Sequence, residues 1–364
     1  MTDKADTLRN ALLMILAVLA LGYALRVLQP VLVPVVLALF IALVVSPVER
    51  WVADRVPGPL RWLGLLAAMA LIAATFALFV AALWVGGRRI GIALSGLPRR
   101  LDELTASADF GGWTLLGADI GQLANIIGDR GIAVASALLR DSINGVSTWV
   151  VYLTLCLFLV LLMLTEAPRW LDKLRAISDE EESARWHRAI RLIAFKLRVY
   201  LVTRAYLGLM TAVLYGIWLW ICGVELVVVW VLLVFLFSFI PNLGSVLAGL
   251  LPLIYAFIVP GTLPLWAIAL GILAIEQGMG NLVQPQVQAK QVSLSPVVVL
   301  LSVIFFGWLW GAAGALLSVP IMIVIVVAAA NVEAAKPFAL LLSNQTTIDG
   351  LDRVMEARAT EAGL

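Results

Sequence analysis

From Leu226 to Val332 the chain carries two charged residues, Glu276 and Lys290, and both fall inside one polar stretch, EQGMGNLVQPQVQAKQVSLSP, running from Glu276 to Pro296. The sequence on either side of it is almost wholly apolar. Placing an ionisable group at membrane depth costs about 2.5–3.5 kcal/mol even on lenient insertion scales, so such a group faces a protein interior or a wet path. Glu276 is therefore expected to be functional, and everything else in the chain has to be arranged so that it is sheltered from lipid.

With 63% hydrophobic and 13% charged residues in 364, and a mean hydropathy of +1.04, the composition lies far outside the soluble globular range. It predicts an all-α polytopic membrane protein. The net charge of +2 points to no nucleic-acid partner, because the charges sit between the apolar runs. Cys156 and Cys222 lie in or at the ends of such runs and are read as small hydrophobes. His187 is the only histidine, which argues against a conventional zinc site or a serine triad. No metal and no cofactor are expected, and no enzyme: HExxH, Gly-x-Ser-Gly, paired intramembrane aspartates and a P-loop are all missing.

Residues 1–86 hold three apolar runs, the first two read as a helical hairpin around Gln29-Pro30. Trp62 and Trp84 bracket the third, like interfacial aromatics at the two faces of a bilayer. Residues 87–146 are mixed in polarity, with an apolar stripe Ile120, Leu123, Ile126, Ile127, and are expected to form an extramembrane helical segment. Residues 147–222 supply spans four and five around an amphipathic, charged stretch at 166–198. Placing the N-terminus, 49–61, 166–198 and the C-terminus on one side collects 16 of the 25 Lys and Arg there, which the positive-inside rule makes cytoplasmic. Residues 333–364 form a cytoplasmic tail.

The expected transport core is 223–332. Two apolar runs of about 36 residues, Glu225–Pro260 and Pro296–Asn331, are interrupted by Pro241-Asn242-Leu243-Gly244 and by Gly311, Gly314 and Pro320. Both read as hairpins or broken helices, and paired interruptions are the best pointer to a secondary transporter's binding region. Between them Gln277, Asn281 and Gln284 fall at i, i+4 and i+7, one helical face beside Glu276, and Pro285 is expected to end that helix. Were the second run continuous, Gly307, Gly311, Gly314 and Ser318 would share a close-packing face. The expected binding residues are thus Glu276, Gln277, Asn281, Gln284 and Asn242, with helix breaks at Pro241, Gly244, Pro285, Gly311 and Gly314.

Three stretches, FIPNLGS at 239–245, NLVQPQVQAKQVSLSP at 281–296 and GWLWGAAGALLSVP at 307–320, together resemble the autoinducer-2 exporter family of bacterial inner-membrane transporters, and within it the exporter's own branch. The resemblance implies an inner-membrane transporter of about eight spans with both termini in the cytoplasm and an extramembrane segment between the third and fourth spans. It implies either export of an autoinducer-2-like polar solute, a role in quorum sensing, or antiport of sodium or another monovalent cation against protons through Glu276. Many members carry Leu-His-Pro where this chain has Leu294-Ser295-Pro296, so no proton-linked role of that histidine carries over. The expected partners are the lipid bilayer, the solute or the cation and proton, and further copies of the chain in a homo-oligomer.

Overall fold

The computed structural model describes residues 2–94, 114–115, 118–119, 154–166, 169, 180–241, 243–259, 261–288 and 294–350. In chain order the helices are α1 (Thr2–Val27), α2 (Gln29–Ala53), α3 (Trp62–Leu94), α4 (Thr154–Glu166), α5 (Glu180–Ile221), α6 (Val227–Phe237), α7 (Leu243–Ile258), α8 (Leu265–Gly278), α9 (Gln284–Gln288), α10 (Pro296–Ala330) and α11 (Lys336–Leu342). Between α3 and α4 a short antiparallel hairpin pairs β1 (Thr114–Leu115) with β2 (Ala118–Asp119). The rest of the 95–153 stretch, with the apolar stripe at 120–127, lies outside the described residues, as do 170–179. Five described stretches are long and apolar enough to cross a bilayer, and four shorter apolar helices accompany them. The chain is an all-α polytopic membrane protein.

The chain forms two compact units, residues 1–69, 155–203 and 288–364 in one and 70–154 and 204–287 in the other. In the first, α1 and α2 meet at Leu28 alone, and the described side chains of α1 are exposed along most of its length. The two helices therefore turn a corner and do not pack as the expected hairpin, because a one-residue link leaves no loop to reverse the chain. The corner frees the carbonyl of Leu25, and the indole of Trp310 donates to it at 3.0 Å. A second freed carbonyl is that of Leu43, since Pro47 inside α2 has no N–H to offer four residues on. Arg198 Nε and the Ser46 hydroxyl both donate to it at 3.2 Å, and Arg198 also donates to Ser46 Oγ at 3.0 Å.

The first unit also holds the second interrupted run. Within α10 the backbone leaves helical geometry at Trp310 (φ −126°, ψ 15°) and Gly311 (φ 64°, ψ −146°), a combination that only glycine adopts without strain. The arm after the break folds back on the arm before it. A Cβ on Gly307 would lie 3.7 Å from that of Ala315, and one on Gly314 would overlap the carbonyl of Phe306. The run is thus a helical hairpin, and Gly307, Gly311, Gly314 and Ser318 form no continuous face.

The second unit is built on the latter part of α5. Tyr215, Leu219, Trp230, Val234, Ile268 and Ile272 make its core with Ala212 and Ala248. Lipid tails are as apolar as these side chains, so close packing and interhelical hydrogen bonds, more than the hydrophobic effect, hold such helices together. The ring of Trp218 of α5 occupies the space beside Gly271 of α8, where a Cβ would overlap it, and its indole donates to Ile268 O at 3.2 Å. α6 and α7 form the expected hairpin around Pro241. Gly244 allows its closure: a Cβ there would overlap the carbonyl of Phe237. In both hairpins the glycine that meets a phenylalanine carbonyl stands seventeen positions after the first valine of a Val-Val-Val, Gly244 after Val227 and Gly314 after Val297.

Candidate functional site

The Leu265–Val287 span is 23 residues long, and Glu276 is its middle residue. At 1.5 Å per residue it stands about 17 Å from either end, the depth at which transporters bind their cargo. The helix around it is not regular. α8 ends at Gly278, the segment Met279–Val283 is π-helical, and the N–H of Gln284 donates to Met279 O, five residues back. Widened turns of this kind occur mostly as single insertions, often at functional sites.

Pro285 does not break the helix, contrary to the expectation from sequence. It sits in the first turn of α9, where a proline is tolerated because the first N–H groups have no helical partner. The wide turn just before it absorbs the clash that a proline ring makes with the preceding turn.

A cavity of about 370 Å³ opens on this segment. α8, the π turn and α9 contribute Glu276, Gln277, Gly280, Asn281 and Gln284 to its wall; the α6–α7 hairpin contributes Ser238, Ile240, Pro241, Gly244, Ser245 and Ala248; and α5 contributes Arg204, Gly208 and Thr211. Four of the five binding residues expected from sequence therefore line one cavity, together with the Pro241 and Gly244 break. Asn242, the fifth, lies outside the described residues. Gly311 and Gly314 belong to the other compact unit and are not among the lining residues.

Several groups in the wall are already committed. Asn281 Nδ2 donates to Gln277 Oε1 at 2.6 Å, which fixes the facing of both amides. Thr211 and Ser238 donate back to the carbonyls of Leu207 and Phe235 at 2.9 and 2.6 Å, leaving their oxygens free to accept. Glu276 Oε1 accepts a hydrogen bond from the phenol of Tyr215 at 2.7 Å. The cavity thus offers one carboxylate, one guanidinium, hydroxyls and amides within a largely apolar protein.

Sequence reasoning missed Arg204, Thr211, Tyr215, Ser238 and Ser245. Arg204 was visible as a charge near the start of a span. The other four are polar or aromatic residues of types common in ordinary spans, and only the packing of α5 against α8 and the hairpin brings them to Glu276.

Comparison with known proteins sets this geometry in a family. Residues 11–334 match the AI-2E family transporter description. The AI-2 transport protein TqsA of Escherichia coli K12 is 31% identical over 331 residues, 88% of this chain and 91% of that protein. A Haemophilus influenzae protein named only provisionally as a transport protein is 29% identical over 346 residues, 93% of this chain and 97% of its own length. YhhT of E. coli, named in the same provisional way, is 26% identical over 323 residues. The match extends from the first span past the second hairpin, so the whole membrane-spanning part of the chain is accounted for, and the chain belongs to the AI-2E family of transporters.

Proposed function

We propose that this protein is a secondary transporter that exports a small polar solute of the autoinducer-2 kind across the bacterial inner membrane, through the cavity around Glu276. A single observation carries the proposal: at mid-span depth a cavity of about 370 Å³ is walled by a helix break, a carboxylate and a set of hydroxyls and amides. Hydroxyl-rich solutes need donors and acceptors together, which Gln277, Asn281, Gln284 and Ser245 can offer. The name of the E. coli relative supports the solute class. The bilayer and further copies of the chain in a homo-oligomer complete the proposed partners.

The proposed orientation puts both termini in the cytoplasm. Arg198 ties the C-terminal part of α2 to the first half of α5, as expected if the basic stretches 49–61 and 166–198 share one side. Arg89, near the end of α3, lies 3.8 Å from Glu225 just after α5, which suits a common opposite side.

A second function, cation/proton antiport at Glu276, is favoured by the backbone. Pro252 and Pro285 have no N–H to give to the carbonyls of Ala248 and Asn281 one turn back, and both of those residues line the cavity. A carboxylate near carbonyls that lack their regular helical donor suits a monovalent cation.

Reconstitution in liposomes with an internal pH dye separates the two. Addition of an autoinducer-2-like solute should give solute flux, whereas proton movement on adding sodium or potassium would establish the antiporter. Glu276→Gln keeps the shape but fixes the neutral state. The expected outcome is loss of the pH dependence of transport at near-normal expression; an unchanged rate, affinity and pH profile would remove Glu276 from the mechanism.

A further inference from the structure

Glu276 lines the cavity, but the residue that holds it does not. Tyr215 is fully buried in the core of the second unit, packed with Leu219, Trp230, Val234 and Ile272, and its phenol donates to Glu276 Oε1 at 2.7 Å. The hydroxyl occupies a slot where α7 presents no side chain: a Cβ on Gly249 would stand 3.6 Å from it and 3.2 Å from Ile272 Cγ2. The ring cannot follow the carboxylate into the cavity without dismantling the contact between α5 and α8.

We propose that Tyr215 is the positioning residue of the transport site: it binds Oε1 of Glu276 within the contact between α5 and α8 and leaves Oε2 as the single oxygen that meets proton, cation or solute. This rests on the cavity being the transport site. The chemistry is self-consistent in both charge states. When the carboxylate is ionised, Oε1 accepts from the phenol. When Oε2 carries the proton, Oε1 is a carbonyl oxygen and still accepts. The phenol bond survives the cycle and the proton is confined to the cavity side, so Glu276 can load and unload without turning. A rotating carboxylate would have to exchange one buried partner for another at each step, which is costly in a medium of low dielectric.

The charged and titratable groups around Glu276 are few. Among the described residues α5 brings Tyr215 and Arg204, the latter on the cavity wall, α6 has no ionisable side chain, and that of α7, Tyr255, is directed to Glu225 at 3.5 Å. An effect of Tyr215 on the protonation of Glu276 is therefore readable against a simple background.

The test is chemical labelling of the full-length protein in liposomes with dicyclohexylcarbodiimide, which attacks protonated carboxyls in apolar surroundings, with the adduct at Glu276 quantified by peptide mass spectrometry as a function of pH. Tyr215→Phe keeps the packing and removes the donor. Loss of a hydrogen bond to a charged acceptor should move the labelling midpoint upward by about one to two pH units. Glu276→Asp, which withdraws the carboxyl beyond reach of the phenol, should give the same upward shift, and adding Tyr215→Phe to it should shift nothing further. This second variant serves if Tyr215→Phe does not fold. An unchanged midpoint in folded Tyr215→Phe, or additive shifts in the pair, would overturn the proposal. So would absence of any adduct in the wild-type protein, since no oxygen would then be open to the cavity. Labelling does not depend on transport, so a failure of the solute assignment leaves this result standing, and a failure here leaves the solute assignment untouched.

Discussion

At Pro47 a missing N–H is answered by a residue more than a hundred and fifty positions away. Without Arg198 the Leu43 carbonyl would keep only the Ser46 hydroxyl, and loss of the charged hydrogen bond from Arg198 Nε costs about 1–3 kcal/mol. Arg198→Ala should lower the stability of the detergent-solubilised protein by about that amount, read as a fall in melting temperature. In a Pro47→Ala background, where the helix can bond Leu43 itself, the same change should cost clearly less. Equal losses in the two backgrounds would show that Arg198 acts by some other contact. Nothing local in the sequence announces this pair, because proline marks a vacant acceptor without saying what fills it. Tyr215 was illegible for a similar reason: an aromatic in an apolar run is usually core, and only the partner reveals its hydroxyl as more than a satisfied group. Glu276 was legible because a charge in such a run has no inexpensive structural explanation.

The elements that sequence marked best were the interruptions. Proline and glycine inside long apolar runs predict where helices stop, and both runs do reverse, at Pro241 and at Gly311. What they could not predict is how tightly the arms close. Alanines at Pro241 and Gly244 look, from sequence, like the repair of a helix; in the structure the carbonyl of Phe237 makes the change at Gly244 a steric one. Gly244→Ala and Gly314→Ala should each cost about 1–3 kcal/mol in thermal unfolding through overpacking against backbone. Gly278→Ala, with nothing within 4 Å of its new methyl, should be neutral or gain up to about 1 kcal/mol from helix propensity. If all three behave alike, close approach is not what these glycines provide. Pro285 marks the opposite limit of legibility. A proline was expected to end a helix, but a π turn one step upstream removed the conflict, and no pattern of residue types distinguishes a broken helix from a widened one.

For the molecule as a whole, composition and the spacing of apolar runs were sufficient to fix an all-α polytopic chain, since backbone groups in a bilayer must be paired within helices or closed barrels. The side each loop occupies is a finer matter, resting on the distribution of Lys and Arg. A cysteine introduced at Ser107 should react with an impermeant thiol reagent added outside intact cells, and one at Ser183 should react only after the cells are opened. The reverse pattern would invert the proposed orientation and with it the direction of the cavity. α5, at 42 residues, is about 63 Å long by helical rise, twice the hydrocarbon thickness. A helix of that length exceeds what the hydrocarbon layer can hold.

The π turn at Met279–Val283 is equivalent to an α-helix into which one residue has been slipped, and it can be treated as a phase error between the two ends of one span. Each residue of an α-helix advances the chain by about 100°, and the π turn lets five residues cover about the angle of four, so removing one residue here should restore a regular helix with everything beyond it still facing the same way. Deleting Gly280 should thus leave a well-folded protein with a melting temperature close to the parent's and Gln284 still on the cavity wall, but without the widened turn beside Glu276, and transport should fall. Should the deletion variant transport normally, the widened turn is an accommodated insertion with no part in transport.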